Sequence, residues 1–332
     1  MTSIFLAALV ACTPVETIED SVSTSTTTSS KTKLESASNS RIMFYNVENL
    51  FDTENDPNKA DDDFTPNGYK KWTQKRYENK LKKLARVIDS PEDKDPVIIG
   101  LSEIENRKVM EDLTKEVVLL DNSYKVVHDE SPDNRGIDVG LIYDADRFKY
   151  ISHESYRVNF PWDASIKSRD VLMVKGCFAK NDTVHIFVNH WPSRRKGKEA
   201  SEPKRMQAAK TLRLAIDKVL KKDPNAKIIC LGDFNDHPSD KSLMTGLKAG
   251  EKGKSTLINL MLPLEKQGLG SHNYKGEWGM LDQIIVSSSF LSAKKGLKIK
   301  KGEAKILKED WMLYKGKSPS KTYGGPNYYG GY

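Results

Sequence analysis

Cysteine is scarce in this chain of 332 residues, and no internal repeat with a period of about 20 to 50 residues occurs. The three cysteines, Cys12, Cys177 and Cys230, are too few for a disulfide framework and are not spaced as a zinc site. Cys177 and Cys230 fall in apolar, strand-like runs, which predicts buried free thiols. The apolar run at residues 4–11 is far shorter than the roughly 20 residues that cross a bilayer. These features exclude a disulfide-stabilised scaffold and a repeat array.

The composition is that of a soluble globular domain, with 37% hydrophobic and 30% charged residues. The formal net charge of +7 favours anionic partners such as nucleic acid, phosphate esters or anionic lipid. A basic surface that is simply solvated would give the same value. Net charge alone therefore does not choose between a binding surface and an ordinary one.

The N-terminal sequence MTSIFLAALVACTPVETIED resembles a bacterial lipoprotein signal, in which Cys12 would be lipidated after cleavage. No Lys or Arg precedes the apolar run, which departs from that pattern. Residues 13–40 are a Ser/Thr-rich stretch that cannot form a core and is typical of a flexible linker. We therefore predict a signal peptide over 1–12, a linker over 13–40 and one domain over 41–332. This arrangement predicts a lipid-anchored protein of the bacterial cell envelope, or a secreted one.

Alternating segments predict a mixed fold. Apolar runs of strand length are RIMFYNV, PVIIGLS, DVGLIYD, DVLMVKGCFA, TVHIFVNH, KIICLGD and LDQIIVS. Between them, residues 73–90 and 203–222 place apolar side chains at helical spacing. Runs such as VIIGL and IICLG lack polar alternation, which predicts strands buried on both faces. Many strands with few helices predict an α+β fold of two packed sheets covered by helices.

Polar residues occupy the ends of several predicted strands. They are Asn46 after RIMFY, Glu103 after VIIGLS, His190 after HIFVN, Asp233 and Asn235 in LGDFN, and Asp282 before QIIVS. At one rim of a sandwich, such residues would converge on a common site. A set of oxygen ligands with few carboxylates suits Mg²⁺, which keeps several waters and needs one or two carboxylates besides substrate phosphate. We expect Mg²⁺, with Mn²⁺ or Ca²⁺ as alternatives.

The motifs FYNVENL, IIGLSEIEN, RGIDVGLIYD, VNHWPS, LGDFND and GMLDQIIVS together resemble those of the endonuclease/exonuclease/phosphatase superfamily. Each motif is weak alone, but their order and spacing are jointly specific and extend over nearly all of the predicted domain. The chain is also similar to secreted bacterial members of this superfamily. The resemblance implies the deoxyribonuclease-I-like fold, a four-layer α/β/β/α sandwich, and metal-dependent hydrolysis of phosphoesters.

The resemblance also implies roles for individual residues. Glu103 matches the principal metal carboxylate, and Asn46 matches an asparagine beside the metal. Asp233 matches an aspartate that binds metal or orients the attacking water, and Asn235 matches a phosphate contact. His190 matches a histidine that contacts phosphate and donates a proton, a role that an imidazole can fill near neutral pH.

Three further residues complete the predicted site. Asp282 matches the aspartate that orients the catalytic base. Asp138, in RGIDVGL, is predicted to orient His190. Arg135 is predicted to clamp phosphate through two parallel hydrogen bonds. A divalent ion and fixed donors would together stabilise the negative charge that develops on phosphate oxygens during hydrolysis.

One motif of the superfamily is missing. Relatives end in Ser-Asp-His-x-Pro on a last strand, whose histidine is the general base, and no such tripeptide occurs here. The six histidines are at positions 128, 153, 185, 190, 237 and 272. We expect that the sequence is truncated before the last strand of the domain and that the chain as written is impaired in activity.

Two loops carry charge without a clear motif. Residues 52–64, DTENDPNKADDDF, lack the EF-hand spacing and are predicted to be a solvated loop. The basic residues 193–205 either grip a phosphate backbone or form an exposed loop. His237, close to the LGDFND motif, is predicted to be a loop residue rather than the missing base.

Three functions are open at this point. The first is an extracellular or envelope-attached nuclease, most simply an endonuclease, with nucleic acid as substrate. The second keeps the chemistry but acts as a phosphatase or as a phosphodiesterase of phospholipids or small molecules. The third is a non-catalytic binding protein, which requires that the chain truly ends at Tyr332. The sequence implies no protein partner, and we expect a monomer.

Overall fold

The structure is a computed structural model, and it describes residues 4–5, 7–14, 40–90, 95–178, 182–251, 256–274, 276–294, 296–299 and 304–312. The strands are β1 (Ile4–Phe5), β2 (Ala7–Pro14), β3 (Ser40–Leu50), β4 (Ile98–Ile104), β5 (Tyr124–His128), β6 (Asp138–Asp144), β7 (Lys149–Tyr156), β8 (Val171–Cys177), β9 (Thr183–His190), β10 (Lys227–Asp233), β11 (Ala249–Gly250), β12 (Leu257–Asn259), β13 (His272–Tyr274), β14 (Glu277–Gly279), β15 (Asp282–Ser287), β16 (Leu297–Ile299) and β17 (Lys305–Leu307). The α-helices are α1 (Gln74–Asp89), α2 (Arg107–Thr114), α3 (Lys198–Lys222), α4 (Leu262–Glu265) and α5 (Ser288–Leu291).

Two seven-stranded sheets form the centre of the molecule. The first has the order β16-β2-β3-β4-β6-β5, with β17 also paired to β2, and the second has the order β11-β12-β15-β10-β9-β8-β7. Strands β3 and β4 are parallel, and so are β9 and β10. The small third sheet joins β1, β13 and β14. Each parallel pair ends at one edge of its sheet, which brings the polar residues after both strands together.

Strand β3 shows why the apolar runs lack polar alternation. Successive side chains of a strand point to opposite faces. Ile42 and Phe44 join the core between the two sheets, whereas Met43 and Tyr45 join the core beneath the helices. All are buried, and complete burial of one such side chain stabilises the fold by about 1.5–3 kcal/mol. The strand is therefore apolar on both faces because both faces are covered.

The helices cover the outer face of each sheet. The predicted face of α1, which includes Tyr77, Leu81 and Leu84, is buried against the first sheet. Leu212 and Ile216 of α3 are buried against the second sheet. The order of layers is therefore helix, sheet, sheet, helix, and the predicted α+β four-layer α/β/β/α sandwich is confirmed.

The predicted signal region lies partly within the described residues. Strand β2 runs antiparallel to β3, with Cys12 opposite Ser40. Residues 15–39 and 313–332 lie outside the described residues. The signal peptide over 1–12, lipidation of Cys12 and the linker over 13–40 stay predictions. No described helix is both long and apolar enough to cross a membrane.

The two other cysteines are free, as predicted. Cys230 is buried, and burial raises the pKa of its thiol well above the ordinary value. Cys177 is only half-buried, because it lies at the end of β8 rather than in the middle of the sheet. Neither residue belongs to the polar cluster described next.

Candidate active site

The predicted strand-end residues meet at one rim of the sandwich. Asn46 lies on β3 beside β4, whose end carries Glu103. On the second sheet, Asp233 of β10 is directly opposite His190 of β9 and also opposite Asp282 of β15. Parallel pairing within each sheet and face-to-face packing of the sheets bring these residues to one place.

Four of these side chains surround a common point. The amide Nδ2 of Asn46 donates to Asp233 Oδ2 over 3.1 Å and to Glu103 Oε1 over 3.4 Å. His190 Nε2 lies 3.7 Å from Asp233 Oδ2 and 3.9 Å from Glu103 Oε1. The sheets therefore bring Asn46, Glu103, His190 and Asp233 into one cluster, as the sequence predicted.

Asn235 is held beside this cluster by its own backbone and side chain. Its backbone N–H donates to Asp233 Oδ1 over 2.9 Å, and its Nδ2 donates to the carbonyl oxygen of Trp191 over 2.9 Å. Its φ of 50° lies in the left-handed region, which costs a non-glycine residue on the order of 1–3 kcal/mol. Surrounding bonds thus keep Asn235 in a geometry that the free chain would avoid.

Left-handed backbone recurs around the cluster. Glu103 has a φ of 62°, and Glu48 and Asn49, which follow Asn46, have φ of 50° and 61°. Both Glu48 and Asn49 line the same cleft as Glu103. Strained, non-glycine backbone concentrated at a polar cleft is typical of functional sites, where packing holds side chains in a fixed arrangement.

The carboxylates of Glu103 and Asp233 lie close together, and the positive charges of Lys80 and Arg169 act on them. Burial raises the pKa of the Asp233 carboxyl to about 6, and the negative charge of Glu103 adds to this, while the bonds from Asn235 and Asn46 act in the opposite direction. A divalent cation between the two carboxylates would offset their repulsion. The carboxylate oxygens of Glu103 and Asp233 are donors that Mg²⁺ or Mn²⁺ prefers, so these two residues fit such an ion. Asn46 presents its Nδ2 to both carboxylates while its Oδ1 accepts from the Glu48 N–H over 2.9 Å, so its amide would have to turn over to place the oxygen on the ion.

Asp282 is the most isolated carboxylate of the site. It is fully buried, and neither of its oxygens has a hydrogen-bond partner among the described residues. Its backbone N–H donates to Ser271 Oγ over 2.9 Å. Burial, and after it the charge of Asp233, raises the pKa of Asp282 well above its ordinary value. Asp282 is thus a fully buried acid beside Asp233 that does not itself line the cleft.

His190 is neutral at physiological pH. Burial, and then the positive charges of Arg169 and Arg135, lowers the pKa of its imidazole well below 6.5. Its Nδ1 has no hydrogen-bond partner within the described part of the chain. A neutral imidazole carries one N–H donor, which can bond to a phosphate oxygen.

The predicted partnership between Asp138 and His190 is not formed. Asp138 Oδ2 instead lies 3.2 Å from His128 Nε2, and Asp138 Oδ1 accepts from the backbone N–H of Ser131 over 2.9 Å. The physical reason is local, because antiparallel pairing of β5 with β6 places His128 beside Asp138, and the loop between the strands folds back to bring the Ser131 N–H to the same carboxylate. Asp138 therefore fixes that loop rather than the imidazole of His190.

Arg135 lies on the wall of the cleft, as its predicted role requires. Its guanidinium is half-exposed and contacts both oxygens of Asp133, with Nε 3.2 Å from Oδ1 and Nη2 3.3 Å from Oδ2.

A second arginine near the site, Arg169, was not predicted from the sequence. It is buried, lies 3.0 Å from Asp133 Oδ2 and donates to the His190 carbonyl oxygen over 3.1 Å. Asp133 thus joins Arg135 to the strand that carries His190.

The residues that follow the LGDFN segment are more buried than the sequence predicted. Asp236 is buried, and its Oδ2 lies 2.7 Å from Nε of Arg205, which is also fully buried. Arg194 donates from Nε to the Asn235 carbonyl oxygen over 2.7 Å and lies 3.3 Å from Asp236 Oδ1. The signal for Arg205 was present in the sequence, since it precedes Ala209 and Leu212 at helical spacing on the buried face of α3.

A cleft of about 890 Å³ opens above the cluster. Its floor is made by Glu103, His190, Asp233 and Asn235, and one wall is the basic loop at 193–197. Arg195 and Lys196 of that loop are exposed. The opposite wall belongs to β13 and β14 and includes His272, Tyr274 and Trp278.

His237 also lines the cleft. Its Nδ1 lies 2.8 Å from Glu265 Oε1, so the structure keeps it as a loop residue beside the site, as predicted.

We compared the sequence of the chain with models of protein families and with curated protein sequences. Residues 41–332 match the sequence model of the Endonuclease/Exonuclease/phosphatase family. No curated protein sequence matches the chain.

Solved structures with a similar fold come from several organisms. Truncated Caenorhabditis elegans TDP2 is 14% identical with a TM-score of 0.45, covering 62% of this chain and 75% of its own. The human Nocturnin catalytic domain is 17% identical with a TM-score of 0.41, covering 58% and 69%. A Bacteroides thetaiotaomicron mannosyl-6-phosphatase is 15% identical with a TM-score of 0.43, covering 62% and 76%. Similarity at this level says nothing about substrate.

Proposed function

Because the chain belongs to the Endonuclease/Exonuclease/phosphatase family, whose members are phosphoester hydrolases, we propose that it is a divalent-metal-dependent phosphodiesterase that cleaves nucleic acid. The observation that carries the proposal is the pair of acidic side chains, Glu103 and Asp233, held on either side of one asparagine amide at the floor of a basic-walled cleft. Glu103, Asp233 and Asn46 would hold Mg²⁺ or Mn²⁺. The bound ion would polarise the phosphoryl group and stabilise its developing charge.

The protein's own residues would bind the phosphate and orient the attacking water. His190 is neutral and donates its N–H to a non-bridging phosphate oxygen. Asn235 offers an amide donor fixed beside Asp233, and Arg135 supplies positive charge at the cleft wall. In this proposal Asp233 orients the attacking water. Asp282 would orient the general base of the family's Ser-Asp-His motif, a tripeptide that does not occur in this chain. Donors that are fixed before substrate binds stabilise the transition state without reorganisation.

Charge at the cleft wall supports nucleic acid over a small substrate. Arg195 and Lys196 are exposed on the loop directly after the strand of His190, where they can contact phosphates on either side of the scissile one. A phosphatase or small-molecule phosphodiesterase needs no such extended contacts. The nuclease is therefore the proposal, and the other substrates are the outcomes that would replace it.

The test is cleavage of plasmid DNA, single-stranded DNA and RNA with Mg²⁺ or Mn²⁺, beside a sugar phosphate and a phospholipid. Glu103→Gln keeps the size of the side chain and removes its charge, and we expect it to lower the rate about 100-fold or more. Asp121→Asn, an exposed carboxylate outside the site, is the matched control and should leave the rate unchanged. Turnover of the sugar phosphate or phospholipid alone would refute the nuclease proposal.

We also propose that the protein is a monomer held at the bacterial cell envelope by a lipid on Cys12. The apolar run before Cys12 and the Ser/Thr-rich segment after it support this proposal, which requires that cleavage remove the residues of β2 from Ala8 to Ala11 that pair with β3. Expression of the chain in a bacterium, followed by detergent partitioning and mass spectrometry, tests it. Cys12→Ser should move the protein from the detergent phase to the aqueous phase, and an unmodified Cys12 in the wild type would contradict the anchor.

A further inference from the structure

A second cluster of potential metal ligands lies at the junction of β5 and β6. His128 ends β5, Asp138 begins β6, and Glu130 lies in the loop between them. One ligand atom from each of these residues lies within 4.8 Å of the others. Metal–ligand bonds of about 2.0–2.2 Å place neighbouring ligand atoms roughly 3–4 Å apart, so a small contraction would suffice for all of them to bind one ion.

The backbone holds this cluster in place. His128 and Asp138 lie on antiparallel neighbours, and Asp138 Oδ1 accepts from the Ser131 N–H over 2.9 Å. His128 and Asp138 are buried, with exposed fractions of 6% and 1%. Glu130 is the accessible member, because its side chain is 57% exposed. An ion could therefore enter from solvent on the Glu130 side and find the other two ligands already positioned.

The positive charges of His128 and Lys59 offset the negative charge of the cluster only in part, since the pKa of Glu130 is raised despite them. Two carboxylates share the site, and burial together with the charge of Asp138 raises the pKa of Glu130. The nearest lysine, Lys59, lies 3.9 Å from Glu130 Oε2, and its ammonium also donates to the Ser131 carbonyl oxygen over 3.1 Å. A divalent ion would bring both carboxylates together without this repulsion.

An unused polar atom lies next to the same cluster. The hydroxyl of Ser131 is buried and has no hydrogen-bond partner within the described ranges, although the backbone N–H of the same residue bonds to Asp138. Buried hydroxyls normally find a partner, and a water carried by a metal ion would provide one. This observation is independent of the distances between the ligands.

We propose that His128, Glu130 and Asp138 form a second divalent-metal site, separate from the cluster of Glu103 and Asp233. One imidazole nitrogen with two carboxylate oxygens is a donor set that suits Zn²⁺ or Mn²⁺ better than Ca²⁺, which takes oxygen ligands only. An ion here would tie β5 to β6 and fix the loop of residues 129–137, which carries Arg135 to the cleft. The site is therefore assigned a structural role.

The test is the number of Zn²⁺ ions bound per chain, measured by equilibrium dialysis and elemental analysis, with Co²⁺ as a spectroscopic stand-in. The wild type should bind one equivalent more than Glu130→Gln, and its Co²⁺ spectrum should contain a component that this variant loses. Glu130 is largely exposed, so the variant should fold normally. Asp121→Asn should behave as the wild type.

Two further variants separate this site from the proposed catalytic one. His128→Asn should lose the same equivalent, and circular dichroism checks that it is folded. Glu103→Gln should keep the Co²⁺ spectral component that Glu130→Gln loses. Equal Zn²⁺ binding by the wild type and Glu130→Gln, or loss of that same Co²⁺ component in Glu103→Gln, would overturn the proposal. None of these measurements uses catalytic activity, so failure of the nuclease proposal would be recognised separately.

Discussion

Glu105 is a buried carboxylate outside the proposed catalytic cluster, and it shows how burial affects a single residue. It is 8% exposed, and its Oε2 accepts from the backbone N–H of Asp52 over 2.7 Å. Burial raises the pKa of Glu105 from 4.5 to about 8, with the charges of Asp52 and Asp61 adding to the effect. Asp52 and Asp61 are themselves buried, so the loop at 52–64 is less solvated than its sequence predicted.

This shift makes stability depend on pH. Since the folded-state pKa is raised, the favourable contribution of neutral Glu105 is complete below pH 4.5, declines as pH rises towards 8 and is lost above that. Glu105→Gln keeps an acceptor for Asp52 and cannot ionise. We expect it to be more stable than the wild type by about 3–5 kcal/mol at pH 9 and equal to it at pH 4, in chemical denaturation at both pH values. A difference that is the same at both pH values would contradict the assignment.

Among elements, the loop after β10 is tied to α3 by the buried pair of Asp236 and Arg205. Ser242 donates to Asp236 Oδ2 over 2.6 Å, and Gln283 of β15 donates to the Asp236 carbonyl oxygen over 2.6 Å. Arg194 adds a bond to Asn235 from the basic loop. The conformation of Asn235 therefore depends on contacts with several elements rather than on its own sequence.

Breaking this pair should affect both stability and turnover. Arg205→Met leaves the Asp236 carboxylate buried without its closest cation, and loss of one partner of a buried pair costs about 3–5 kcal/mol. We expect Arg205→Met to lower the free energy of unfolding by that amount in urea denaturation. Asp236→Asn leaves the buried Arg205 cation without its counter-charge, so it should destabilise by a similar amount, and it should lower kcat through the altered position of Asn235. A fully active, equally stable Arg205→Met variant would show that the pair has no such role.

The elements also show what the sequence could predict. The apolar runs set the strands, and the polar residues at their ends predicted the meeting of Asn46, Glu103, His190 and Asp233, because strand direction alone decides where those residues lie. The partner of Asp138 could not be predicted in this way. It depends on how the loop of residues 129–137 folds, and hydrogen bonds within a loop leave no period in the sequence. The helical spacing of α3 could have predicted that Arg205 lies on the buried face. Only the structure shows that its guanidinium is paired with Asp236.

At the scale of the whole molecule, the basic loop and the cleft define how a long polyanion would lie. Arg195 and Lys196 face solvent beside the floor residues, whereas Arg194 is occupied by Asp236 and Asp240. Only the exposed part of the loop is then available to phosphates. Arg195 and Lys196 are therefore the exposed basic residues of this loop that could contact phosphate, and that contact stays a prediction.

Salt dependence tests this division. We expect the double variant Arg195→Gln, Lys196→Gln to bind a DNA duplex more weakly and to reduce the slope of log affinity against log salt by about 2, measured by fluorescence anisotropy with Ca²⁺ to limit cleavage. Lys167→Gln with Lys222→Gln, which changes the same charge on exposed residues outside the cleft, is the matched control. An identical slope in the test variant and the wild type would remove this loop from the DNA contact surface.

The burial of the central strands on both faces has a further consequence for motion. Strands β3, β4, β9 and β10 have cores on both sides, so their amide hydrogens should exchange with deuterium only when the whole domain unfolds. The floor of the cleft is mounted on these strands, whereas its walls are loops and a short hairpin. We expect bound DNA to slow deuterium uptake in residues 193–197 and 272–279 and to leave residues 228–233 unchanged, as followed by mass spectrometry. Substrate binding would then reduce exchange in the loop and hairpin that form the walls of the cleft, while the strands beneath its floor stay unchanged.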